Sequence, residues 1–417
     1  MVQTVKRRFW IDLIEHEWRE RSVVWLAGVR RVGKTYLSQS LPDIEYFDCE
    51  LPRTRLMMED VEGFLEGMNG RRIVLDEIHR LKNPSQLLKI AADHFPDVRV
   101  LATGSSTLGA SRKFGDTLAG RKRDIWLTPL CGADLIDFKN TDLGHRLLRG
   151  GLPPFFLAQE LPERDFQEWL DAYWAKDIQE LFRVEKRSSF QRFAELLMAQ
   201  SGGIFEAKSF AAPCEVSRQT ITNYLKVLET TFAVHVIRPF SARRPNEIIS
   251  APKVYAFDTG FICYHRGWRD LVAENLGMLW EHYVLNEIMA RLQSRRINYW
   301  RDKRGHEVDF IIAGRGAQIP GGSARFPGGG ARSRGADAYP MAIECKWSAG
   351  EFDGGNLLAF RRQYPEGENF VVAQDVARAF SRSYGEVKVR FISISSLAEL
   401  LVERGGRGTQ RKEVKEA

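Results

Sequence analysis

The segment Gly28-Val-Arg-Arg-Val-Gly33-Lys34-Thr35 has the residue types and spacing of a phosphate-binding loop, G-x-x-x-x-G-K-[ST]. It follows an apolar run at 23–27 and opens a helical run. Glycines allow torsions that aim backbone N–H groups at phosphate oxygens, and the helix N-terminus adds a positive dipole end. Lys34 can reach the β- and γ-phosphates, and the Thr35 hydroxyl can bind Mg²⁺. The segment predicts a nucleotide site formed by Gly28, Val29, Arg30, Arg31, Val32, Gly33, Lys34 and Thr35.

Two adjacent carboxylates, Asp76 and Glu77, follow an apolar run at 72–75. In a parallel sheet this strand end faces the phosphate loop, so Asp76 would hold Mg²⁺ through its water shell and Glu77 would polarise the attacking water. A further apolar run ends at Thr103, whose hydroxyl could sense the γ-phosphate, although a plain polar turn explains Thr103 equally well. Neither N-K-x-D nor T-K-x-D occurs in the chain, and the lack of this usual guanine contact favours ATP over GTP.

A second group of charged residues lies in the C-terminal third of the sequence. Glu281 falls on the apolar stripe of a helical run at 276–292, which aims its carboxylate at the core side. Asp309 lies in a strand-like run. Glu344 and Lys346 are two residues apart in another such run, so they share one face of a strand. Three carboxylates and a lysine could thus converge, and the alternative is a Glu344–Lys346 ion pair with Asp309 at a rim.

The alternation of apolar and helical runs between residues 23 and 129 is typical of a parallel α/β sheet. The middle of the chain is helical, with a helix-turn-helix pattern at 205–228 and then a hairpin containing Arg243 and Arg244, an order that suggests a winged helix. Winged helices bind DNA but also serve as docking or lid modules. The second helix would expose residue types that suit phosphates and base edges, namely Arg218, Gln219, Thr222, Asn223 and Lys226.

These patterns predict three domains and a tail. They are a P-loop parallel α/β ATPase domain at 1–140, a winged-helix domain at 141–268, an α/β domain at 269–400 and a disordered tail at 401–417. Within the third domain, residues 314–336 hold eight glycines, four arginines and no acidic residue, so we expect a flexible insertion there.

The composition narrows the class of protein. The chain has 417 residues, of which 44% are hydrophobic and 28% charged, and no apolar run approaches the ~20 residues of a membrane-spanning helix. Its five cysteines form no C-x-x-C pair, which indicates neither a disulfide framework nor a zinc site. The net charge of +7 favours anionic partners only mildly. We expect a cytoplasmic protein without a membrane segment.

Seven segments carry a resemblance to a known family: Gly28-Val-Arg-Arg-Val-Gly-Lys-Thr35, Val74-Leu-Asp-Glu-Ile78, Thr103-Gly-Ser-Ser106, Leu118-Ala-Gly-Arg121, Gly150-Gly-Leu-Pro153, Lys253-Val-Tyr-Ala-Phe-Asp-Thr-Gly260 and Gly277-Met-Leu-Trp-Glu281. The chain resembles prokaryotic AAA+ type ATP-binding proteins in which a C-terminal domain of undetermined function follows the P-loop domain. The resemblance implies an additional-strand P-loop fold and ATP-driven conformational switching, and the motifs described above predict ATP and Mg²⁺ as cofactors. It also implies that Arg121 contacts the γ-phosphate, and the alternative for Arg121 is a cation at the sheet edge.

The order of a helix Glu281, a strand Asp309 and an E-x-K strand with Glu344 and Lys346 resembles the PD-(D/E)XK nuclease superfamily. This resemblance implies a nuclease-like α/β C-terminal domain in which Asp309 and Glu344 bind Mg²⁺ and Lys346 orients or activates the attacking water. We expect an ATPase that acts on DNA, with further copies of the chain as partners in a homo-oligomer. The competing interpretation is a nucleotide-gated regulatory or docking protein whose C-terminal domain is catalytically inactive.

Overall fold

The structure, a computed structural model, describes the ranges 5–104, 117–161, 163–179, 186–241, 250–313 and 339–404. Contacts between Cα atoms divide the chain into two compact units. The first unit is Met1–Arg192 with Gln219–Ala233, and the second is Phe193–Arg218 with Val234–Ala417. Each unit contains one sheet.

The first sheet has five parallel strands in the order β2-β3-β4-β1-β5. The parallel α/β sheet predicted from the alternating runs is therefore confirmed. Strand β4 lies between β1 and β3, so the strand of the phosphate loop and the strand of Asp76 are separated by one additional strand. The strands are β1 Val23–Ala27, β2 Ile44–Asp48, β3 Arg72–Asp76, β4 Arg99–Thr103 and β5 Lys122–Trp126.

Helices on this sheet bury apolar stripes, which holds the strand ends in place. Every residue of β1 is buried, as expected for a strand covered on both faces. The helix Pro84–His94 begins with proline, which favours the first helical position, and places Leu87, Leu88 and Ala91 in the core. Full burial of one leucine side chain stabilises the fold by roughly 1.5–3 kcal/mol. The described α-helices of this unit are Arg8–Glu20, Lys34–Gln39, Pro52–Met57, Val61–Gly67, Pro84–His94, Gly132–Asp137, Leu143–Arg149, Pro153–Phe156, Glu163–Tyr173 and, from its second residue on, Arg218–Thr230. A further helix, Arg187–Ala199, begins in this unit and ends in the second.

The second sheet has nine strands in the order β13-β14-β12-β11-β10-β9-β7-β8-β6. Strands β9, β10 and β11 form an antiparallel meander, and β12 then pairs with β11 in parallel. The register between β9 and β10 shifts between Val308 and Ile311, next to Asp309. The strands are β6 Gly203–Ile204, β7 Val234–Pro239, β8 Lys253–Ala256, β9 Ile297–Arg301, β10 Glu307–Ile312, β11 Met341–Lys346, β12 Asn369–Ala373, β13 Phe380–Tyr384 and β14 Val387–Ile392.

The long helix Ala273–Leu292 is the central helix of the second unit. From Leu279 to Ala290 every residue is buried except Glu281, as expected for a core helix that is covered on all sides. The other α-helices of this unit are Ala207–Ala211, Thr259–Arg266, Gly355–Gln363 and Ile394–Arg404. The helix Ile394–Arg404 includes the first residues of the predicted tail, and its Leu401 is buried. The prediction of a disordered tail that begins at residue 401 is therefore wrong.

The helices of the predicted helix-turn-helix are Ala207–Ala211 and Arg218–Thr230. The second helix buries its apolar stripe and exposes all five polar residues named above, as their spacing predicts. The hairpin of β7 and β8 does not close a separate domain, because β7 also pairs with β9 in parallel and so continues the nine-stranded sheet. A middle domain at 141–268 accordingly does not form a compact unit of its own.

Several predictions concern segments beyond the described residues. Arg243 and Arg244 of the proposed wing, the insertion at 314–336 and the part of the tail after Arg404 all lie there. None of the helices in the described ranges has the length and apolarity needed to cross a membrane.

Candidate functional sites

The phosphate loop joins β1 to the helix Lys34–Gln39. Gly33 has a φ of 99°, a left-handed value that glycine adopts without the steric penalty of a side chain. A Cβ added to Gly28 would lie 2.6 Å from the carbonyl oxygen of Leu127, so any larger residue would collide with the backbone. Both glycines are therefore needed for the path of the chain from strand to helix.

Lys34 begins the helix and turns its side chain back over the loop. Its Nζ donates hydrogen bonds to the carbonyl oxygens of Gly28 (2.9 Å) and Val29 (3.2 Å). Burial lowers the pKa of Lys34, and nearby carboxylates, chiefly Glu77, oppose this shift. The ammonium thus lies within the loop, where phosphate oxygens would offer it charged acceptors in place of neutral carbonyl groups.

Asp76, the last residue of β3, accepts hydrogen bonds from three hydroxyl groups. Thr35 Oγ1 donates to Oδ2 over 2.9 Å, the Tyr46 hydroxyl donates to the same oxygen, and the Thr103 hydroxyl donates to Oδ1. These contacts hold the Asp76 carboxylate next to Thr35. Mg²⁺ at nucleotide sites takes hard oxygen ligands of this kind together with phosphate oxygens and water. The residues present therefore fit the Mg²⁺ of a nucleotide.

Glu77 follows directly and has a left-handed backbone with a φ of 53°. Its N–H donates to Thr103 Oγ1 over 3.2 Å, which ties this turn to the end of β4. Burial raises the pKa of Glu77, but the hydrogen bond and charge of His79, followed by the charges of Lys34 and Arg30, outweigh it and lower the pKa. Glu77 is accordingly ionised at neutral pH, as a general base must be.

Sequence reasoning missed one carboxylate near the phosphate loop. Asp177 lies in a π-helix, Trp174–Gln179, and accepts a hydrogen bond of 2.8 Å from Arg30 Nε. The Trp169 indole donates to the carbonyl oxygen of Arg30 over 3.0 Å. Isolated π-helical turns often occur at functional sites. No pattern in the sequence pairs Asp177 with a loop 147 residues earlier.

The resemblance placed Arg121 at the γ-phosphate, and the structure places it elsewhere. Arg121 immediately precedes β5, whose first residue Lys122 pairs with Val23 at the start of β1. The phosphate loop follows the carboxyl end of β1, so Arg121 lies at the opposite, amino-terminal ends of the strands. There Arg121 Nε donates to Asp93 Oδ1 over 2.7 Å. Within one chain, the expectation of a γ-phosphate contact by Arg121 is wrong. Ser105 and Ser106 lie outside the described residues.

The second site brings together the four predicted C-terminal residues. Glu281 projects from the helix Ala273–Leu292, Asp309 lies in β10, and Glu344 and Lys346 lie in the neighbouring strand β11. Asp309 Oδ2 accepts a hydrogen bond of 2.7 Å from the N–H of Cys345, and Lys346 Nζ lies 3.2 Å from Glu344 Oε2. The register shift in β10 occurs at Asp309, and bulges of this kind re-aim side chains next to active sites.

The carboxylates of this site repel one another. Burial raises the pKa of Asp309 to about 7, and the charge of Glu281 adds to the shift while Lys346 and Lys253 oppose it. Burial likewise raises the pKa of Glu344 to about 8, with the charge of Asp309 as the next cause. Burial is the largest cause of both shifts, and the neighbouring carboxylates add to it, so both carboxyl groups resist ionisation unless a cation compensates their charge.

Glu344 is 1% exposed, and in the described part of the chain its Oε1 has no hydrogen-bond partner. A buried carboxylate oxygen without a donor is unfavourable unless a cation meets it. The described residues bring no three His, Cys, Asp or Glu side chains together in the geometry of a metal site. Asp309 and Glu344 are two carboxylates, however, and Mg²⁺ in enzymes often takes one or two of them and completes its shell with water and substrate oxygens. The residues present therefore fit one Mg²⁺.

Three further residues of this site were missed by sequence reasoning. Lys253 Nζ lies 3.4 Å from Glu281 Oε1 and 2.5 Å from Glu307 Oε1, and the Tyr255 hydroxyl donates to Glu281 Oε1 over 2.6 Å. The two-residue period of a strand puts Lys253 and Tyr255 on one face of β8, and Glu307 and Asp309 on one face of β10. That period was visible in the sequence, but the meeting of the two strands with Glu281 was not.

The first unit has the fold and site of a P-loop nucleotide-binding domain. A family model described as an AAA domain matches residues 20–135. This part of the chain is therefore similar to AAA domains, in agreement with its parallel α/β sheet. Two models of domains of unknown function match the rest: DUF8612 at 140–271 and DUF4143 at 276–321.

Similar proteins occur in bacteria and archaea. The "Uncharacterized protein Rv2008c" of Mycobacterium tuberculosis is 29% identical over 303 residues, which cover 70% of this chain and 67% of that protein. The "Uncharacterized protein Mb2031c" of Mycobacterium bovis gives the same values. The "Uncharacterized protein MJ1544" of Methanocaldococcus jannaschii is 23% identical over 328 residues, which cover 70% of this chain and 72% of that protein.

Among solved structures, the Walker-type ATPase PABY2304 of Pyrococcus abyssi matches with a TM-score of 0.43 and 14% identity, over 63% of this chain and 96% of that one. A signal transduction ATPase with numerous domains, PH0952 of Pyrococcus horikoshii, matches with a TM-score of 0.27 and 12% identity, over 69% of this chain and 47% of that one.

Proposed function

We propose that the protein binds Mg²⁺–ATP at the phosphate loop and hydrolyses it, and that hydrolysis is coupled to a DNA transaction. The observation that carries the ATPase proposal is the arrangement around Asp76. Its carboxylate is fixed by the hydroxyls of Thr35 and Thr103 next to the ionised Glu77, at the carboxyl end of β3 and beside Lys34.

Each of these residues has one task in the proposed reaction. Lys34 binds the β- and γ-phosphate oxygens, and Thr35 with Asp76 holds Mg²⁺, which neutralises charge developing on the transferred phosphoryl group. Glu77 accepts a proton from the attacking water, since its carboxylate is ionised at neutral pH. The water oxygen then bonds to the γ-phosphorus, the bond to the bridging oxygen of ADP breaks, and inorganic phosphate leaves.

The test compares two carboxylates of the first unit. Glu77→Gln should retain ATP affinity within about three-fold and lower the turnover number by on the order of 100-fold or more, because only the base is lost. Asp93→Asn is the matched control, because Asp93 is paired with Arg121 at the opposite edge of the sheet and should leave both quantities unchanged. Wild-type turnover in Glu77→Gln would exclude Glu77 as the base.

For the second site we propose Mg²⁺-dependent cleavage of a DNA phosphodiester. Asp309 and Glu344 would hold the ion, and Lys346 would orient the attacking water. The support is the burial of the Asp309 and Glu344 carboxyl groups near one another, which raises the pKa of both, and the Oε1 of Glu344, which has no hydrogen-bond partner among the described residues. A DNA partner is supported by the exposed polar face of the helix Arg218–Thr230, which carries two basic residues.

One observation favours a second candidate function, a nucleotide-gated regulatory or docking protein with an inactive C-terminal domain. Lys253 lies against Glu281 and Glu307, and Lys346 lies against Glu344, so three of the four carboxylates of the cluster already have a cation within the protein. DNA cleavage assays with Mg²⁺ or Mn²⁺ separate the two functions. Cleavage that Glu344→Gln abolishes, with ATP turnover unchanged, supports the nuclease. No cleavage, and ATP turnover that DNA does not stimulate, supports the regulator.

A further inference from the structure

The four carboxylates of the second site fall into two pairs with different partners. Glu281 and Glu307 both lie against the ammonium of Lys253, and Glu281 also accepts the hydroxyl hydrogen of Tyr255. Asp309 and Glu344 have Lys346 as a shared nearby cation, and Oε1 of Glu344 keeps no hydrogen-bond partner among the described residues. One pair is therefore compensated within the protein, and the other retains a free ligand oxygen.

Lys253 is a fixed interior cation. Its side chain is 6% exposed, compared with 27% for Lys346. Its Nζ lies 5.8 Å from the ring centroids of both Tyr255 and Tyr299, within the range of cation–π attraction. Neighbours on both sides thus determine where the ammonium lies, and it cannot swing into solvent as a surface lysine does.

We propose that the Lys253 ammonium takes the place of a second divalent cation, so that the site binds one divalent ion through Asp309 and Glu344. This inference rests on the proposed metal-dependent function of the second site. Arg301 Nη1 also lies 3.6 Å from Glu307 Oε2, so with all side chains ionised three cations face four carboxylates and one negative charge is left for the divalent ion. A second ion next to Glu281 and Glu307 would have to displace Lys253.

The replacement has a chemical consequence. An ammonium compensates carboxylate charge but carries no water ligand that can be deprotonated, whereas a second metal ion would also clamp the leaving oxygen. With a single ion bound, the site would supply one activated water, which Lys346 would orient, and the leaving oxygen would take its proton from solvent or from a side chain.

The experiment counts Mn²⁺ ions bound to the full-length, nucleotide-free protein by isothermal titration and electron paramagnetic resonance. The reference is the double variant Asp309→Asn, Glu344→Gln, which removes the site while keeping side-chain size, so any Mn²⁺ bound elsewhere cancels in the difference. We expect the wild type to bind one ion more than the reference. Lys253→Ala should bind two more, with the resonance signal of a coupled Mn²⁺ pair.

Two controls separate loss of the ammonium from loss of fold or of general charge. Lys253→Gln keeps most of the stem between the two tyrosines and should also bind two ions, so it decides the question if Lys253→Ala fails to fold. Lys388→Gln removes an exposed lysine of the same unit and should bind one.

The outcomes distinguish this inference from the proposed function. If the wild type binds no more Mn²⁺ than the reference, the metal site itself is wrong. If the wild type binds one and both Lys253 variants also bind one, or bind none, Lys253 does not replace a second ion and this inference is overturned. A wild type that binds two overturns it as well.

Discussion

The two candidate sites use similar residues and have opposite electrostatic balance. In both, buried carboxylates lie near a lysine. At the phosphate loop, His79, Lys34 and Arg30 outweigh the effect of burial and lower the pKa of Glu77. In the second site, burial and mutual repulsion outweigh the lysines and raise the pKa of Asp309 to about 7 and that of Glu344 to about 8.

The difference teaches what each site requires from outside the protein. Asp76 receives three hydroxyl donors from its own chain, so its position is set before any ligand binds. Glu344 is buried with one oxygen that nothing in the described chain satisfies. In the proposed function, the first site receives a polyanion together with its metal ion, whereas the second site becomes electrostatically balanced only when a cation binds.

Lys34→Ala should have the largest effect. It should weaken ATP binding at the phosphate loop and leave the second site unchanged. Loss of a charge-assisted hydrogen bond costs about 1.5–3 kcal/mol, so ATP affinity should fall by on the order of 100-fold. Mn²⁺ binding at the second site should stay as in the wild type. Isothermal titration with ATP and with Mn²⁺ measures both. Lys89→Ala, which removes an exposed lysine of the same unit, is the control and should change neither.

Thr103→Val tests whether hydroxyl groups of the protein hold the first site in place before a ligand binds. The substitution removes a donor to Asp76 Oδ1 and the acceptor of the Glu77 N–H while keeping the size of the side chain. A lost hydrogen bond to a charged group, about 1.5–3 kcal/mol, predicts a fall in ATP turnover of roughly ten-fold or more. Thr103→Ser keeps the hydroxyl and should restore most of the activity in a steady-state assay. Equal turnover in both variants would contradict this role.

Asp309→Asn should raise the melting temperature when divalent ions are chelated. A carboxyl group with a raised folded-state pKa contributes full stability below its unfolded pKa of about 3.9 and loses that contribution as the pH rises toward about 7. The variant should therefore melt about 2–4 °C above the wild type at pH 8, with a gap that closes toward pH 4. Differential scanning fluorimetry across this range measures it.

Asp302, an aspartate of the second unit, serves as the control, and its substitution should lower the melting temperature rather than raise it. Burial raises the pKa of Asp302, but its hydrogen bonds with His306 and the Arg304 N–H outweigh burial and lower it. Such a group contributes stability above its unfolded pKa, so Asp302→Asn should lower the melting temperature slightly at pH 8, with a difference that shrinks as the pH falls below 3.8 toward the lowered folded pKa. Stabilisation by both substitutions would show that the effect is not specific to the second site.

Arg121→Ala should have the smallest effect. Arg121 is half-exposed and paired with Asp93 at the sheet edge opposite the phosphate loop, so ATP turnover should change by less than about two-fold. A large loss of turnover that depends on protein concentration would instead show that Arg121 acts on the nucleotide of another copy of the chain.

Much of the first site could be predicted from the sequence because its parts are local. Residues 28–35 are consecutive, and their function follows from backbone torsions and a helix start. Asp76 and Thr103 each end an apolar run. The carboxyl ends of parallel strands lie on the same side of a sheet, which brings these two side chains close to the phosphate loop. The direction of β5 shows that Arg121 does not belong to this site. A residue that precedes a parallel strand lies at the amino ends of the strands, opposite the carboxyl ends where the phosphate loop begins.

Only the tertiary structure decided the partners that meet across long separations. Asp177 reaches Arg30 through the packing of a helical segment, and Lys253 reaches Glu281 and Glu307 from a strand that belongs to a hairpin predicted as a wing. The sequence by itself determined which residues share a strand face or a helix stripe, because these periods are set by local backbone geometry. Which faces then meet depends on strand order and register, and these are set by the burial of the whole core.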